Sequence, residues 1–239
     1  MPRAPRFLLD EKLSSPGVYA LNRQESHHAA TVLRLRVGDE AVLFDGSGNY
    51  GEAIIELVDR DVVRARIDEV RTEPHLPLMV TLATAIPKGK RWQALVEKCT
   101  ELGVDRIIPI HTGQSVAKGE GDPEKWRRWM VEAAKQSRRA RIPEIVEPCS
   151  VQEALALAKR ENSLLFVADP QGRSLRSHGE DLSHVVRVMA LIGPEGGFTG
   201  EESALFKHYG ARPVKLSSYI LRVETAAAVI CALIRDAVE

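Results

Sequence analysis

The feature that most constrains the fold is a strand that runs into a glycine-rich turn and then into a helix, over residues 191–202. Its sequence is Leu-Ile-Gly-Pro-Glu-Gly-Gly-Phe-Thr-Gly-Glu-Glu. Thr199 and Glu202 have the spacing of a capping box, which predicts that a helix begins here. Because the turn carries little side-chain bulk, its backbone N–H and C=O groups can approach a ligand closely.

A second stretch, residues 216–225, follows the same plan of a short apolar strand, a small polar loop and a helix. Ligands of parallel sheets tend to bind beyond the carboxyl ends of the strands. If the two loops lie at neighbouring strand ends, they frame a small-molecule pocket. By itself, however, a Gly-Pro-Glu-Gly-Gly turn is as often a purely structural turn as part of a binding site.

The chain from residue 78 onward alternates strands with helices. We predict strands at 78–85, 106–110, 164–168 and 185–192, and helices at 90–102, 123–139, 151–160 and about 223–237. Near-continuous apolar strands between helices indicate an α/β domain with a mostly parallel sheet covered on both faces. The last helix is apolar or small around most of its circumference, so we expect it to be buried against the sheet, a partner subunit or both.

The first part of the chain has a different pattern. Short predicted strands at 40–44, 51–58 and 62–70 are separated by turn residues, which is typical of a small β-barrel. Residues 72–77 contain two prolines and predict a linker. We therefore expect a β-barrel domain over residues 1–72 and an α/β domain over residues 73–239.

Composition excludes several classes of protein. The chain has 33 lysines and arginines against 33 aspartates and glutamates, so any nucleic-acid role must depend on a local basic surface. The three cysteines are widely spaced and the histidines lack metal-ligand spacing, so we expect free thiols in a reducing cytosol and no metal. No apolar stretch approaches the length of a membrane span, which predicts a cytoplasmic protein without a membrane partner.

Charged residues in two regions leave alternatives open. Six cations between residues 126 and 141 lie opposite an apolar helical stripe, and they form either a solvated face or a surface that contacts phosphates. Arginines near the N-terminus would extend the second kind of surface. Arg222 and Glu224 begin the apolar last helix, where they are either paired at the helix entry or directed into the pocket.

At these residues the chain resembles the RsmE group of ribosomal RNA methyltransferases, in the SPOUT (trefoil-knot) superfamily. The resemblance runs nearly end to end, through residues 6–7, 32–34, 37–39, 44–46, 97–104, 132–137, 141–144, 192–197 and 220–225. It implies a PUA-like β-barrel that binds RNA, followed by a SPOUT α/β knot domain. It also implies a homodimer that uses S-adenosyl-L-methionine to methylate N3 of a uridine in 16S ribosomal RNA of the small ribosomal subunit.

The resemblance also assigns residues by position. The implied cofactor-binding residues are Leu165, Val167, Ala168, Ile192, Gly193, Pro194, Glu195, Gly196, Gly197, Leu216, Ser217, Ile220, Leu221, Arg222 and Thr225. From the chemistry of methyl transfer, rather than from the resemblance, we hypothesise two catalytic residues: Arg222 stabilises negative charge that develops on the uracil, and Glu224 orients Arg222. The expected RNA contacts are Arg3, Arg6, Arg34, Arg36, Arg138, Arg139 and Arg141.

The chain departs from the family pattern at two places. It has Ser217-Ser218-Tyr219 where members usually have Gly-x-Arg, and Gln114 where an arginine is often found. One alternative is therefore a catalytically impaired RNA-binding or ribosome-assembly factor with the same fold. Another is a nucleotide-using enzyme on an ordinary doubly wound sheet, although the chain has neither a P-loop nor Gly-x-Gly-x-x-Gly.

Overall fold

The computed structural model describes residues 4–59, 61–114 and 122–237. Arg3, an expected RNA contact, lies outside these residues. Backbone contacts divide the chain into two compact units: the first is Met1–His75 with Ala134–Ile142, and the second is Leu76–Ala133 with Pro143–Glu239. The segment 134–142, expected in the second domain, groups with the first unit. The boundary between residues 72 and 73 remains a prediction.

The first unit contains a six-stranded mixed sheet. Its strands are β1 (Arg6–Leu8), β2 (Gly17–Ala20), β3 (Glu40–Phe44), β4 (Asn49–Val58), β5 (Val63–Ile67) and β6 (Arg71–Thr72). The order is β1-β3-β4-β5-β2, with β6 paired to β4; β1 and β3 are parallel and the other pairs antiparallel. Helix α1 (Arg23–His27) continues into a π-helical turn (His28–Val32). Alternate side chains, such as Leu43, Ile55 and Ile67, form the core.

Asp45 closes the turn between β3 and β4. Its carboxylate accepts the N–H groups of Ser47 at 2.8 Å, Asn49 at 3.1 Å and Leu13 at 3.2 Å, and the side-chain amide of Asn49 at 2.8 Å. Burial alone would raise the pKa of Asp45, but the hydrogen bonds from Asn49, Ser47 and Leu13 outweigh burial and lower it. The turn is thus stabilised by an ionised carboxylate.

The second unit contains a seven-stranded parallel sheet with helices. Its strands are β7 (Met79–Ala85), β8 (Arg106–His111), β9 (Glu144–Ile145), β10 (Cys149–Ser150), β11 (Leu164–Ser174), β12 (Arg187–Ile192) and β13 (Arg212–Lys215). The order is β10-β8-β7-β12-β11-β13, with β9 paired to β8. The helices are α2 (Lys90–Glu101), α3 (Pro123–Ser137, which continues into the first unit), α4 (Val151–Arg160), α5 (Gly179–Ser183, after a 3₁₀ turn at Leu175–His178), α6 (Gly200–His208) and α7 (Val223–Asp236). The predicted parallel α/β sheet is confirmed.

Helix α7 is anchored by a buried cation. The guanidinium of Arg235 donates to the carbonyls of Leu78 at 2.5 Å and of Gly103, and to Asp105 Oδ2 at 2.8 Å. On the same helix Cys231 lies against Cys99 of α2; the hydrogen bond between the thiols and their burial raise the pKa of Cys99. Within the described ranges, no helix is long and apolar enough to cross a bilayer, and no cluster of three or more acidic, histidine or cysteine side chains is arranged to hold a metal.

Candidate active site

Three segments at the carboxyl edge of the second unit's sheet enclose a cavity of about 450 Å³. Two are loops that follow β12 and β13, and the third, Ala168–Pro170, lies within β11 where its pairing with β13 shifts register. In the sheet, β11 lies between β12 and β13. The two small-residue loops therefore follow strands that are not direct neighbours, and the segment Ala168–Pro170 of β11 lies between them and adds a wall. A cavity of this size is in the range that accommodates a cofactor.

The glycine loop after β12 folds back on itself and is held by the helix that follows. The N–H of Gly197 donates to the carbonyl of Pro194 at 2.8 Å. The predicted capping box is confirmed, because the Thr199 N–H donates to Glu202 Oε2 at 2.7 Å and the Glu202 N–H to Thr199 Oγ1 at 3.2 Å. Glu202 Oε1 also accepts the N–H of Gly113, at 2.9 Å, so one carboxylate joins α6 to the loop after β8.

The positions of the other two segments that line the cavity, Ala168–Pro170 and the loop after β13, depend on a close approach of β11 to β13. The ladder between them shifts register between Ala168 and Arg173. A Cβ on Gly172 would lie 2.4 Å from the carbonyl carbon of Pro213, so only glycine permits this approach. The loop after β13 is open to solvent, since Tyr219 is 84% and Ile220 is 92% exposed.

Most of the predicted cofactor-binding residues meet at this cavity. Its lining includes Ala168, Ile192, Gly193, Pro194, Glu195, Gly196, Gly197, Leu216, Ser217, Ile220, Leu221 and Arg222. Three others do not line it. Leu165 and Val167 are buried in the core of the second unit, and Thr225 is exposed on α7. For these three, the prediction of cofactor contact has no support from the cavity lining.

Sequence reasoning missed several residues of the cavity. The lining also contains Asp169, Pro170, Phe198, Val214, Tyr219, Val223 and Ala226. Asp169 is the most informative, because it places a carboxylate in the irregular part of β11 that lines the cavity. Its Oδ1 accepts the N–H of Gln171 at 2.7 Å, which fixes the loop. An Asp-Pro pair directly after a buried strand was the signal available for finding it.

The charged side chains that line the cavity are Asp169, Glu195 and Arg222. The pKa of Glu195 is lowered, chiefly by the hydrogen bond from its own backbone N–H. Burial opposes this, and the hydrogen bond from Arg91 and the charges of Arg91 and Lys88 lower the pKa further. Arg222 is exposed at the N-cap of α7, and within the described residues no acidic side chain pairs with it. It is therefore available to a ligand.

The expected contact between Glu224 and Arg222 is not formed. No hydrogen bond or ion pair joins the two side chains, both of which belong to the described part of the chain. Glu224 lies in the first turn of α7, and its Oε2 is buried without a hydrogen-bond partner among the described residues. A buried carboxylate oxygen without a donor costs about 1–3 kcal/mol or more. Its orienting role stays a prediction.

The first unit brings together four of the arginines expected to bind RNA: Arg6, Arg138, Arg139 and Arg141. Arg6 donates to the carbonyl of Arg139 at 3.3 Å and its guanidinium lies 5.2 Å from the Phe44 ring centre. Burial, and then the charge of Arg138, lowers the pKa of Arg6, with Glu73 opposing.

The guanidinium groups of Arg6 and Arg141 already donate hydrogen bonds within the first unit. Arg141 donates to the carbonyls of Ser47 at 2.5 Å and Glu73 at 3.0 Å. Arg138 is exposed with φ of 65° and Arg34 is exposed with φ of 56°. Arg36 is also exposed, and within the described residues no hydrogen bond or ion pair joins Arg34 or Arg36 to Arg6. The accessible cations are therefore Arg34, Arg36 and Arg138.

Known proteins resemble this chain over nearly its whole length. A family model of the RNA methyltransferase domain matches residues 74–235, and one of the RNA methyltransferase PUA domain matches residues 21–68. A ribosomal RNA small subunit methyltransferase E of Mycobacterium bovis is 31% identical over 236 residues, which cover 93% of this chain and 88% of the relative. The chain belongs to the ribosomal RNA small subunit methyltransferase E family.

Further members of the family agree. The methyltransferase E of Synechocystis is 32% identical over 222 residues, covering 92% of this chain and 73% of that one. A crystal structure of the methyltransferase E from Neisseria gonorrhoeae, bound to S-adenosyl methionine, has a TM-score of 0.86 at 28% identity and covers 96% of both chains. The family, the fold class and a cofactor-dependent methyltransferase, as predicted from the sequence, are confirmed. A nucleotide-using enzyme on a doubly wound sheet loses its support.

Proposed function

We propose that this protein transfers a methyl group from S-adenosyl-L-methionine to N3 of a uridine in 16S ribosomal RNA of the small ribosomal subunit. The observation that carries the proposal is the cavity formed by the glycine loop and residues 216–226, in a family whose Neisseria gonorrhoeae member was crystallised with S-adenosyl methionine. Because ribosomal subunits are its substrate, we also propose a cytoplasmic location.

The residues that line the cavity fit this cofactor. Ile192, Leu221 and Val223 provide apolar walls for an adenine ring, and the glycine loop exposes backbone donors and acceptors for its polar edges. The carboxylate of Asp169 suits a cationic or hydroxyl-bearing part of the molecule. When bound, S-adenosyl-L-methionine supplies an electrophilic methyl group carried on a sulfonium.

The chemistry of the methyl acceptor, N3 of the uridine, sets two requirements for the protein. N3 of uridine lies on the base-pairing edge, so the target nucleotide has to be unpaired or extruded before it reaches the cavity. N3 also carries a proton, and negative charge develops on the uracil as that proton leaves. An exposed guanidinium without an acidic partner stabilises such a charge better than a paired one, which favours Arg222.

We further propose that the protein acts as a homodimer through α7 and the loop before it. On α7, Val229 and Leu233 are half-buried and Ala232 is exposed, in a helix with few polar residues. Ile220 is almost fully exposed beside this helix. A second copy would cover these apolar groups and supply a hydrogen-bond donor for Glu224. The exposed Arg34, Arg36 and Arg138 remain our candidates for phosphate contacts of the first unit.

The decisive experiment is methylation of small subunits that lack the modification, with labelled S-adenosyl-L-methionine, followed by mapping of the modified base. Arg222→Ala should lower the rate by about 10²–10³-fold, as expected when a group that stabilises transition-state charge is removed. Calorimetric affinity for the cofactor should change little. Arg187→Ala is the matched control, because Arg187 is exposed at the opposite end of β12.

Each outcome has a defined meaning. Full methylation by Arg222→Ala would remove the assigned role of that residue. Cofactor binding by the wild-type protein without any transfer to the subunit would favour the impaired assembly factor instead. Modification of a base other than uridine, or of another atom, would refute the proposed target.

A further inference from the structure

Three cations follow β7 in sequence: Lys88 precedes α2, and Lys90 and Arg91 are the first two residues of that helix. Strand β7 pairs in parallel with β12. Thr84, one residue before the end of β7, lies opposite Ile192, the last residue of β12. Because parallel strands in register end at the same edge of a sheet, the chain that leaves β7 emerges beside the glycine loop. The three cations therefore lie at the edge where the cofactor cavity opens.

A direct contact places this segment at the cavity. Arg91 Nη1 lies 2.7 Å from Glu195 Oε1, and Glu195 lines the cavity. Arg91 Nε also donates to the carbonyl of Lys88 at 3.4 Å, and the charge of Lys88 acts on the Glu195 carboxyl. Glu195 thus holds Arg91 at the mouth of the cavity, with Lys88 beside it.

The charge at the mouth is unbalanced. Lys88, Lys90, Arg91 and Arg222 carry four positive charges against the two carboxylates of Glu195 and Asp169. Both lysines are exposed, and no ion pair involves either of them within the described residues. In a chain with a formal net charge of zero, such an excess marks a local anion-binding surface.

The backbone between the lysines adds to this surface. Gly89 has φ of 66° and ψ of −141°, a conformation that other residues rarely adopt, and the space where a Cβ would stand is open. A bulky anion can therefore approach the backbone here without meeting a side chain.

We propose that Lys88, Lys90 and Arg91 form a phosphate-binding rim that holds the RNA backbone on either side of the target uridine, with Glu195 as a positioning residue for Arg91. The inference rests on the proposed function. When a base enters the cavity, its flanking phosphates stay at the mouth, where cations hold them in place. Phosphate contacts set register and orientation, so the rim would determine how the uridine meets the methyl donor.

The test uses the full chain with Lys88→Gln and Lys90→Gln together. Binding to unmodified small subunits is measured across a range of salt concentrations, beside KM for the subunit and the calorimetric Kd for S-adenosyl-L-methionine. Each lost phosphate contact lowers the slope of log K against log salt by about 0.7–0.9, so the double variant should lose about 1.5. We expect KM for the subunit to rise about tenfold or more, and Kd for the cofactor to stay within about twofold.

The matched control is Lys98→Gln with Lys207→Gln, two exposed lysines of α2 and α6 away from the loops that line the cavity. An unchanged salt slope and KM in the Lys88/Lys90 variant would overturn the inference. So would a raised Kd for the cofactor, which would assign the lysines to the methyl donor instead. If the wild-type protein fails to methylate subunits, the proposed function fails, whereas an altered salt slope would still identify the rim.

Discussion

Arg235→Ala is the substitution that we expect to destabilise the second unit most. Arg235 is 6% exposed, and its guanidinium donates hydrogen bonds to the carbonyls of Leu78 and Gly103 and to the carboxylate of Asp105. Alanine would leave the two carbonyls without this donor. It would also leave the Asp105 carboxylate, 25% exposed, with the N–H of Val80 at 2.7 Å. Removing one partner of a buried ion pair costs about 3–5 kcal/mol, and since Asp105 keeps some solvent we expect about 3 kcal/mol.

Urea unfolding followed by tryptophan fluorescence measures this loss selectively. The chain has three tryptophans, at positions 92, 126 and 129, and all belong to the second unit. Trp92 and Trp126 are buried edge to face with ring centres 5.4 Å apart, so their emission reports the packing of that unit. With a denaturant dependence of about 1–3 kcal/mol per molar, the midpoint should fall by about 1–3 M.

A surface pair provides the control. Lys98 lies 2.9 Å from Glu101 on α2, with its side chain 60% exposed, so Lys98→Ala should cost less than about 1 kcal/mol. The reasoning would be refuted if Arg235→Ala lowered the free energy of unfolding no more than Lys98→Ala does. It would also be refuted if the midpoint shifted through a change in slope alone, because that indicates an altered unfolded state rather than a lost anchor.

Three other predictions concern local structure. Glu202→Ala removes both the capping box and the bond to Gly113, and should lower the stability of the second unit by about 1–2 kcal/mol in the same fluorescence assay. Gly172→Ala should destabilise that unit and weaken cofactor binding in calorimetry, because its Cβ would overlap the Pro213 backbone, and unchanged binding would contradict the close approach. Asp45 has a lowered pKa, so its contribution to stability is present above its ordinary pKa near 3.8 and is lost as the pH falls through the folded-state value. Between about pH 5 and pH 3, the opening free energy of residues 40–67, obtained from hydrogen exchange after correction for the intrinsic exchange rate, should therefore fall less in Asp45→Asn than in the wild type.

Much of the second unit could be predicted from local pattern. Strands β7, β8 and β12 and helices α4, α6 and α7 begin or end within about two residues of the expected positions, because each carries a long apolar run or a cap. The first unit was harder to predict. Strands β1, β2 and β6 have two to four residues, too few for a period to appear.

The candidate cofactor cavity shows the same contrast between features that the sequence predicts and features that it does not. The glycine loop could be identified from composition, because a turn of this kind has a local signature in the chain. The pairing of Arg91 with Glu195 could not, since these residues meet only after strands far apart in sequence align. Asp169 carried a local signal, the Asp-Pro pair after an apolar run, but its place in the lining depends on the same alignment. Leu165 and Val167 were assigned to the cavity by position, yet their side chains face the core, because side chains alternate between the two faces of a strand.

The sequence by itself therefore determined most elements of the second unit, the two kinds of domain and the family, since these depend on interactions between residues close along the chain and on short local motifs. The tertiary structure alone decided which strand lies between β12 and β13, which cations surround the cavity, and that α7 is anchored by a buried arginine. Those features depend on the order and register of parallel strands. Strand order is set by packing of the whole sheet, so no local stretch of residues encodes it.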